Sequence, residues 1–257
     1  MVWPKGGAPD GECAVSGLLL QVNGLGMRFG GNEVLHELTF GVRDREVCGL
    51  IGPNGAGKTT LFNCMTGFLE PTSGSVWFDG RNVTGWASYR ICREGMVRTW
   101  QRVRPLGKLT VLENAMVGSL LRHASVERAR RMAMVQLELL GLAPYAESRA
   151  ESLPIGLKKK LELARVLATE PRMLLLDEIC GGLNPAETAA LLESVRMLRQ
   201  QQGLTVLFIE HDMKAVMSLC DRIVVLNSGM KLAEGTPAAI ISNPEVIRAY
   251  LGGGGHA

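Results

Sequence analysis

No stretch of this 257-residue chain approaches the roughly 18 consecutive apolar residues that cross a bilayer as a helix. Its richest apolar runs, at 173–177 and 205–209, are only strand-length. Residues 1–17 lack the apolar core of a secretory signal and read as a flexible leader, and the closing GGGGHA at 252–257 reads as a flexible tail. The formal charge is only +3, with basic residues spread along the chain, so no basic stripe marks a nucleic-acid partner. Six cysteines, at 13, 48, 64, 92, 180 and 220, never fall closer than sixteen positions, which excludes clustered C-x-x-C metal chemistry. A chain of this size needs no disulfide staples, so reduced, buried thiols in an intracellular domain are expected. No internal repeat is visible.

What is present is material for a core, 46% of residues being hydrophobic, in a changing rhythm. Segments near Leu18–Val22, Leu35–Val42, Val47–Ile51 and Ser75–Phe78 read as strands separated by Gly/Asn turns. From about 88 to 163 the apolar residues recur at helical spacing, in VLENAMVGSLLR and VERARRMAMVQLELLGL. Two apolar runs, MLLLD and TVLFIE, then flank the helical PAETAALLESVRMLRQQ, a βαβ unit that predicts a parallel sheet buried on both faces. DRIVVLNSG adds a further strand and NPEVIRAYL a last helix. The class is α/β.

The chemistry begins at Gly52, Pro53, Asn54, Gly55, Ala56, Gly57, Lys58, Thr59 and Thr60, which match G-x-x-x-x-G-K-[ST] between a strand and a helix. Glycines let successive N–H groups curl around a phosphate chain, and the following helix adds its positive end. Lys58 supplies a cation for the outer phosphates and Thr59 a hydroxyl for Mg²⁺. This pattern implies binding of a nucleoside triphosphate. The run 173–176 ends in Asp177 and Glu178: the first is placed to hold Mg²⁺ opposite Thr59, the second to accept a proton from attacking water. The strand 205–209 leads to His211, at the carboxyl end where α/β sheets hold ligands, within reach of a γ-phosphate or that water.

These three strand ends, in this order, resemble the ATP-binding cassette (ABC) ATPases over about residues 18–251. The resemblance implies a P-loop NTPase of the ABC type. Such a fold has a mixed β core with a parallel sheet, an antiparallel β subdomain, and a helical signature subdomain at about 88–163. It also implies roles for single residues. Phe29, in MRFGG, stands where an aromatic stacks on adenine; Gln101, in RTWQR, where a glutamine senses Mg²⁺ and water. Asp177 matches the magnesium aspartate, Glu178 the catalytic glutamate and His211 the switch histidine. Leu183-Asn184-Pro185 matches a dimer-contact loop that usually carries aspartate at position 184. The family's Leu-Ser-Gly-Gly-Gln signature, which grips the γ-phosphate bound to the partner subunit, corresponds to Leu153, Pro154, Ile155, Gly156 and Leu157. Only the leucine and one glycine remain. Lys158, Lys159 and Lys160 follow, either as a solvated helix face or as a partial replacement for the lost phosphate contact.

Within that family the chain resembles the importer ATPases of high-affinity branched-chain amino-acid (Liv-type) systems. The likeness rests on MRFGGNEVL, LPIGLKKKLELARVLATEPRMLLLDE with GGLNPAET, and GTPAAIISNPEVIRAYLG. It implies ATP and Mg²⁺ as cofactors and a place on the cytoplasmic face of the inner membrane. The implied partners are two membrane permease subunits, a second ABC ATPase subunit and, indirectly, an extracytoplasmic solute-binding protein. The departed signature favours a heterodimer, and the segment 100–114 is expected to meet the permease. Importers of urea or short amides, and ABC ATPases acting on nucleic acid or ribosomes, are the alternatives; no coiled coil or second cassette supports the latter. A metabolic kinase sharing the loop fits less well, because Gln101 and His211 fall in cassette order.

Overall fold

The computed structural model describes residues 17–100 and 105–251. Gln101 and nearly all of the expected leader and tail therefore lie outside the described residues. The chain opens with a long hairpin, β1 (Leu18–Phe29) and β2 (Asn32–Arg43), and then leaves through β3 (Val47–Ile51) for a second sheet. After α1 (Lys58–Met65), β4 (Ser73–Phe78) and β5 (Arg81–Asn82) return to the hairpin, completing an antiparallel sheet in the order β2-β1-β4-β5. β1 runs seven residues beyond the strand expected from the sequence. Shifts in its register between Val22 and Leu25, and again at Met27, break the apolar alternation that would reveal the extension.

Next come α2 (Ser88–Glu94), β6 (Met96–Arg98), α3 (Val111–Ser119), α4 (Val126–Leu139) and α5 (Ile155–Leu167). The segment expected to be helical throughout thus contains a strand. β6 has three residues, too few to show a period, and takes its place only by pairing in parallel with β7 (Met173–Asp177). α6 (Pro185–Gln202) and β8 (Thr205–Ile209) complete the βαβ unit read from the sequence, with β7 and β8 parallel neighbours. α7 (Met213–Leu219), β9 (Arg222–Asn227), β10 (Met230–Gly235), α8 (Pro237–Ile241) and α9 (Pro244–Leu251) close the fold.

The second sheet has the order β10-β9-β3-β8-β7-β6, with only β10 antiparallel to its neighbour. Every residue of β3, β7 and β8 is buried. Alternate residues divide between two cores. Leu174, Leu176, Val206 and Phe208 face the helices α3 to α7, whereas Met173, Leu175, Leu207 and Ile209 join α1 and the antiparallel sheet. Each large apolar side chain so enclosed contributes about 1.5–3 kcal/mol relative to exposure. Four of the five described cysteines are among the buried residues and none is in a disulfide. Because β3, β8 and β7 are adjacent and parallel, the segments that follow them leave the sheet side by side, which brings three distant stretches of sequence to one edge.

Candidate functional site

At the end of β3 the backbone passes too close to β9 for any side chain: a Cβ on Gly52 would lie 2.2 Å from the Leu226 carbonyl oxygen. Gly57, the N-cap of α1, has φ +98°, and a Cβ there would sit 2.8 Å from Leu35 Cδ2. The loop between them is braced from behind. The Gly229 N–H donates to the Ala56 carbonyl at 3.1 Å, and the His36 N–H to the Gly229 carbonyl at 3.0 Å. Lys58 bends back over the loop, its Nζ donating to the carbonyls of Gly52 at 2.7 Å and Pro53 at 3.0 Å. Burial lowers the Lys58 pKa, while the charges of Glu178 and Asp177 act in the opposite sense.

An open cleft of about 210 Å³ is lined by Val34, the loop from Asn54 to Thr60, Glu178 and His211. The structure thus brings together residues 54–60, 178 and 211 of the expected site. Glu178 adopts φ +50°, an uncommon conformation for a side-chain-bearing residue, and its N–H donates to the Ile209 carbonyl at 2.9 Å. The turn aims its carboxylate at His211, with Oε1 2.7 Å from Nε2.

Asp177 lies just below, only 4% exposed and not part of the cleft lining. Its Oδ2 accepts from Arg98 Nη2 at 2.8 Å, and its N–H donates to Thr99 Oγ1 at 3.2 Å. Burial pushes the Asp177 carboxyl upward and the Arg98 charge opposes that shift. Arg98 also donates to Asn63 Oδ1 at 2.7 Å and stacks 4.4 Å from the Trp100 ring. Sequence reasoning missed it; the available signal is a charged residue directly after the apolar Met96 and Val97 in an undetected strand. As for Mg²⁺, the Thr59 hydroxyl and the carboxylates of Asp177 and Glu178 are hard oxygen donors of the right kind. Among the described residues no group of three or more His, Cys, Asp or Glu is placed to hold a metal ion.

Other expected residues stand apart. Phe29 is 47% exposed near the tip of the β1–β2 hairpin and does not line the cleft. Leu153, Pro154, Ile155, Gly156 and Leu157 do not line it either. Pro154 is the N-cap of α5 with no side-chain bond, Leu153 is buried, and Ile155 is 46% exposed. Asn184 spends its side-chain oxygen on α6: Oδ1 accepts from the Glu187 N–H at 2.9 Å, and Glu187 Oε2 accepts from the Asn184 N–H, a capping box. For Lys159 both sequence readings fail. It is neither a solvated residue nor a phosphate ligand, because it sits on the inward face of α5, 7% exposed, with Nζ donating to the Ile179 carbonyl at 2.6 Å.

The model of the ABC transporter family matches residues 35–181, and that of the branched-chain amino acid ATP-binding cassette transporters matches residues 230–256. The chain is 46% identical, over 91% of its length and 98% of the relative's, to the high-affinity branched-chain amino acid transport ATP-binding protein LivG of Salmonella typhimurium. It is 44% identical to BraF of Pseudomonas aeruginosa over the same shares. Among solved structures, a nucleotide-free ATP-binding cassette from an ABC transporter superposes with a TM-score of 0.83 at 30% identity, covering 91% of this chain and 98% of that one. With the phosphate loop, Glu178 and His211 meeting at one sheet edge in the same fold, this chain belongs to the ABC transporter family, as one of its ATP-binding cassettes.

Proposed function

We propose that this chain is the ATP-hydrolysing subunit of an importer of branched-chain amino acids. The observation that carries the catalytic part is the cleft itself, where the phosphate loop faces Glu178 and Glu178 is held by His211 at 2.7 Å. The backbone N–H groups of residues 54–60 and the Lys58 ammonium receive the phosphates, which requires Lys58 to release the carbonyls of Gly52 and Pro53. Glu178 takes the proton of the water that attacks the γ-phosphate, and His211 orients its carboxylate. Thr59 and Asp177 are the residues that would hold Mg²⁺, which when bound neutralises phosphate charge. Gln101, by resemblance, assists in sensing the ion and the water.

The substrate follows the relatives at 44–46% identity and the match at residues 230–256. Two permease subunits, a second ABC ATPase subunit and an extracytoplasmic binding protein complete the machine, with this subunit on the cytoplasmic face of the inner membrane. No helix among the described residues is long and apolar enough to cross a membrane. An open pocket of about 210 Å³ lined in part by Phe68, Tyr89, Cys92, Arg98 and Trp100 is the place for a permease helix, with Phe68, Tyr89 and Trp100 all exposed. The bare start of α5 faces the ATP held on the partner's loop, and its Pro154 favours a heterodimer with unequal sites.

The test is reconstitution with the cognate permease and binding protein, followed by ATP-driven uptake. Leucine, isoleucine or valine should be taken up, and the Glu178→Gln complex should bind ATP without uptake. Uptake of urea or short amides alone would replace the substrate assignment. Full turnover in the Glu178→Gln complex would remove Glu178 as the base.

A further inference from the structure

One residue beyond Glu178, a peptide unit is held at both ends by buried ionisable side chains. Its carbonyl, that of Ile179, accepts from Lys159 Nζ at 2.6 Å, and its N–H, that of Cys180, donates to Glu210 Oε1 at 2.6 Å. Lys159 is 7% exposed and Glu210 5%. Burial lowers the Lys159 pKa, with the Glu210 charge acting in the opposite sense, and raises that of Glu210, with its hydrogen bond from the Cys180 N–H opposing. The three parts come from three elements: Lys159 from α5, Glu210 from the end of β8 beside His211, and the peptide from the turn after β7. Such bonds are short and directional, and here they fix the plane of the Ile179–Cys180 peptide, one residue beyond Glu178 with its φ of +50°. On its other side Glu178 is fixed by its N–H to the Ile209 carbonyl. Loosening the clamp would free the turn that begins at Glu178 and let its carboxylate shift relative to His211.

One turn further along α5, Glu162 Oε1 accepts from the Trp100 N–H at 2.9 Å, on the segment that leads to Gln101. The space enclosed between Lys159, Glu162, Trp100 and Ile179 is about 10 Å³, room for no more than a single water. Close packing of this kind transmits a displacement instead of absorbing it. The N-terminal end of the same helix carries Ile155, Gly156 and Leu157 of the departed signature.

We propose that Lys159 is a positioning residue for Glu178, and that α5 is a rigid link between the signature segment and the catalytic carboxylate of the same chain. A movement of Leu153–Leu157 against the partner-held ATP is then felt at the ATP on Lys58. This rests on the reading of Glu178 as the base and of the signature as facing the partner.

The experiment uses the assembled complex. Lys159→Met keeps the length of the stem and removes the ammonium. It should lower kcat by about 10- to 100-fold, the penalty for a small misplacement of a catalytic group. ATP affinity should stay within about twofold, since the interaction lost acts on turnover and not on ground-state binding. Lys159→Arg should recover most of the loss. Where Lys159→Met fails to assemble, Glu210→Gln keeps an acceptor for the Cys180 N–H, removes the charge, and should show the same kcat-only loss. Turnover within about twofold of wild type in either variant, or a fall in ATP affinity that matches the fall in kcat, overturns the clamp. The link along α5 has its own readout: a gain in turnover from Pro154→Ser should vanish in the Lys159→Met background, and strict additivity overturns it. Glu178→Gln serves as control. Normal turnover there overturns the base itself, whereas an inactive Glu178→Gln beside a fully active Lys159→Met overturns only the clamp.

Discussion

Two helix starts in this molecule, α1 at Lys58 and α5 at Ile155, both suit an anion, yet they are built in opposite ways. α1 is finished within the chain: Gly57 caps it, β2 and the β9–β10 turn brace the loop before it, and Glu178 and His211 face it across a cleft. α5 is left open. Pro154 offers no capping bond, Ile155 is exposed, and none of residues 153–157 lines the cleft. The lysine that could have served the α5 end, Lys159, is turned inward to the Ile179 carbonyl. The contrast between a complete anion site and an incomplete one on the same subunit is what the proposed sharing of ATP between two chains requires.

The largest effect should fall on the finished site. Glu178→Gln retains shape and loses the proton acceptor, so single-turnover hydrolysis should slow by roughly 10²–10⁴-fold while ATP still binds. Lys58→Ala should instead abolish nucleotide binding. Next comes the support beneath it. Arg98→Met strips the buried Asp177 of its counter-charge, with both side chains 6% exposed, and should cost about 3–5 kcal/mol in denaturant unfolding. An unchanged midpoint would mean that the pair adds no net stability.

Repairing the open end should have a smaller, opposite result. Pro154→Ser with Ile155→Gly restores a hydroxyl and a flexible start, and should raise ATPase activity of the mixed complex several-fold. Glycine near a helix start sets a limit of about 1 kcal/mol on that gain. If this chain alone is as active as the mixed complex, the unequal-site reading fails. Asn184→Ala removes the α6 capping box beside the signature, where Glu187 also sits against Gly156, and should lower stability by about 1 kcal/mol. At the far end of β3, stability should depend on pH. Burial alone would raise the Glu46 pKa, but hydrogen bonds from Arg222 and the Arg43 N–H outweigh it and hold the carboxyl below its usual 4.5. A carboxylate lowered in the folded state adds stability above its unfolded value, and that stability is lost as pH falls through the folded one. The melting temperature of wild type should therefore exceed that of Glu46→Gln at neutral pH, and the gap should close on acidification below 4.5.

The phosphate loop, Glu178 and His211 were legible because each lies in a contiguous stretch with its own strand, and parallel pairing then aligned the strand ends. The same patterns gave the βαβ unit and most helices. β6 escaped because three residues carry no period, and with it went Arg98. Lys159 was misread because three successive lysines look like a solvated face; the helical spacing of Lys159, Glu162, Leu163 and Val166, all buried, is the signal that places it inward.

Spacing along the chain was enough to reveal a nucleoside triphosphate site, the class of fold and the carboxylate expected to act on water. Those depend on residues that are near neighbours along the chain, where spacing alone imposes geometry. Only the tertiary structure decided which charges are paired. Arg98 meets Asp177 across 79 positions, Lys159 meets Ile179 across 20, and Arg222 meets Glu46 across 176. A buried charge takes whatever partner packing brings within hydrogen-bond reach, and packing joins elements whose separation along the chain carries no trace of their contact.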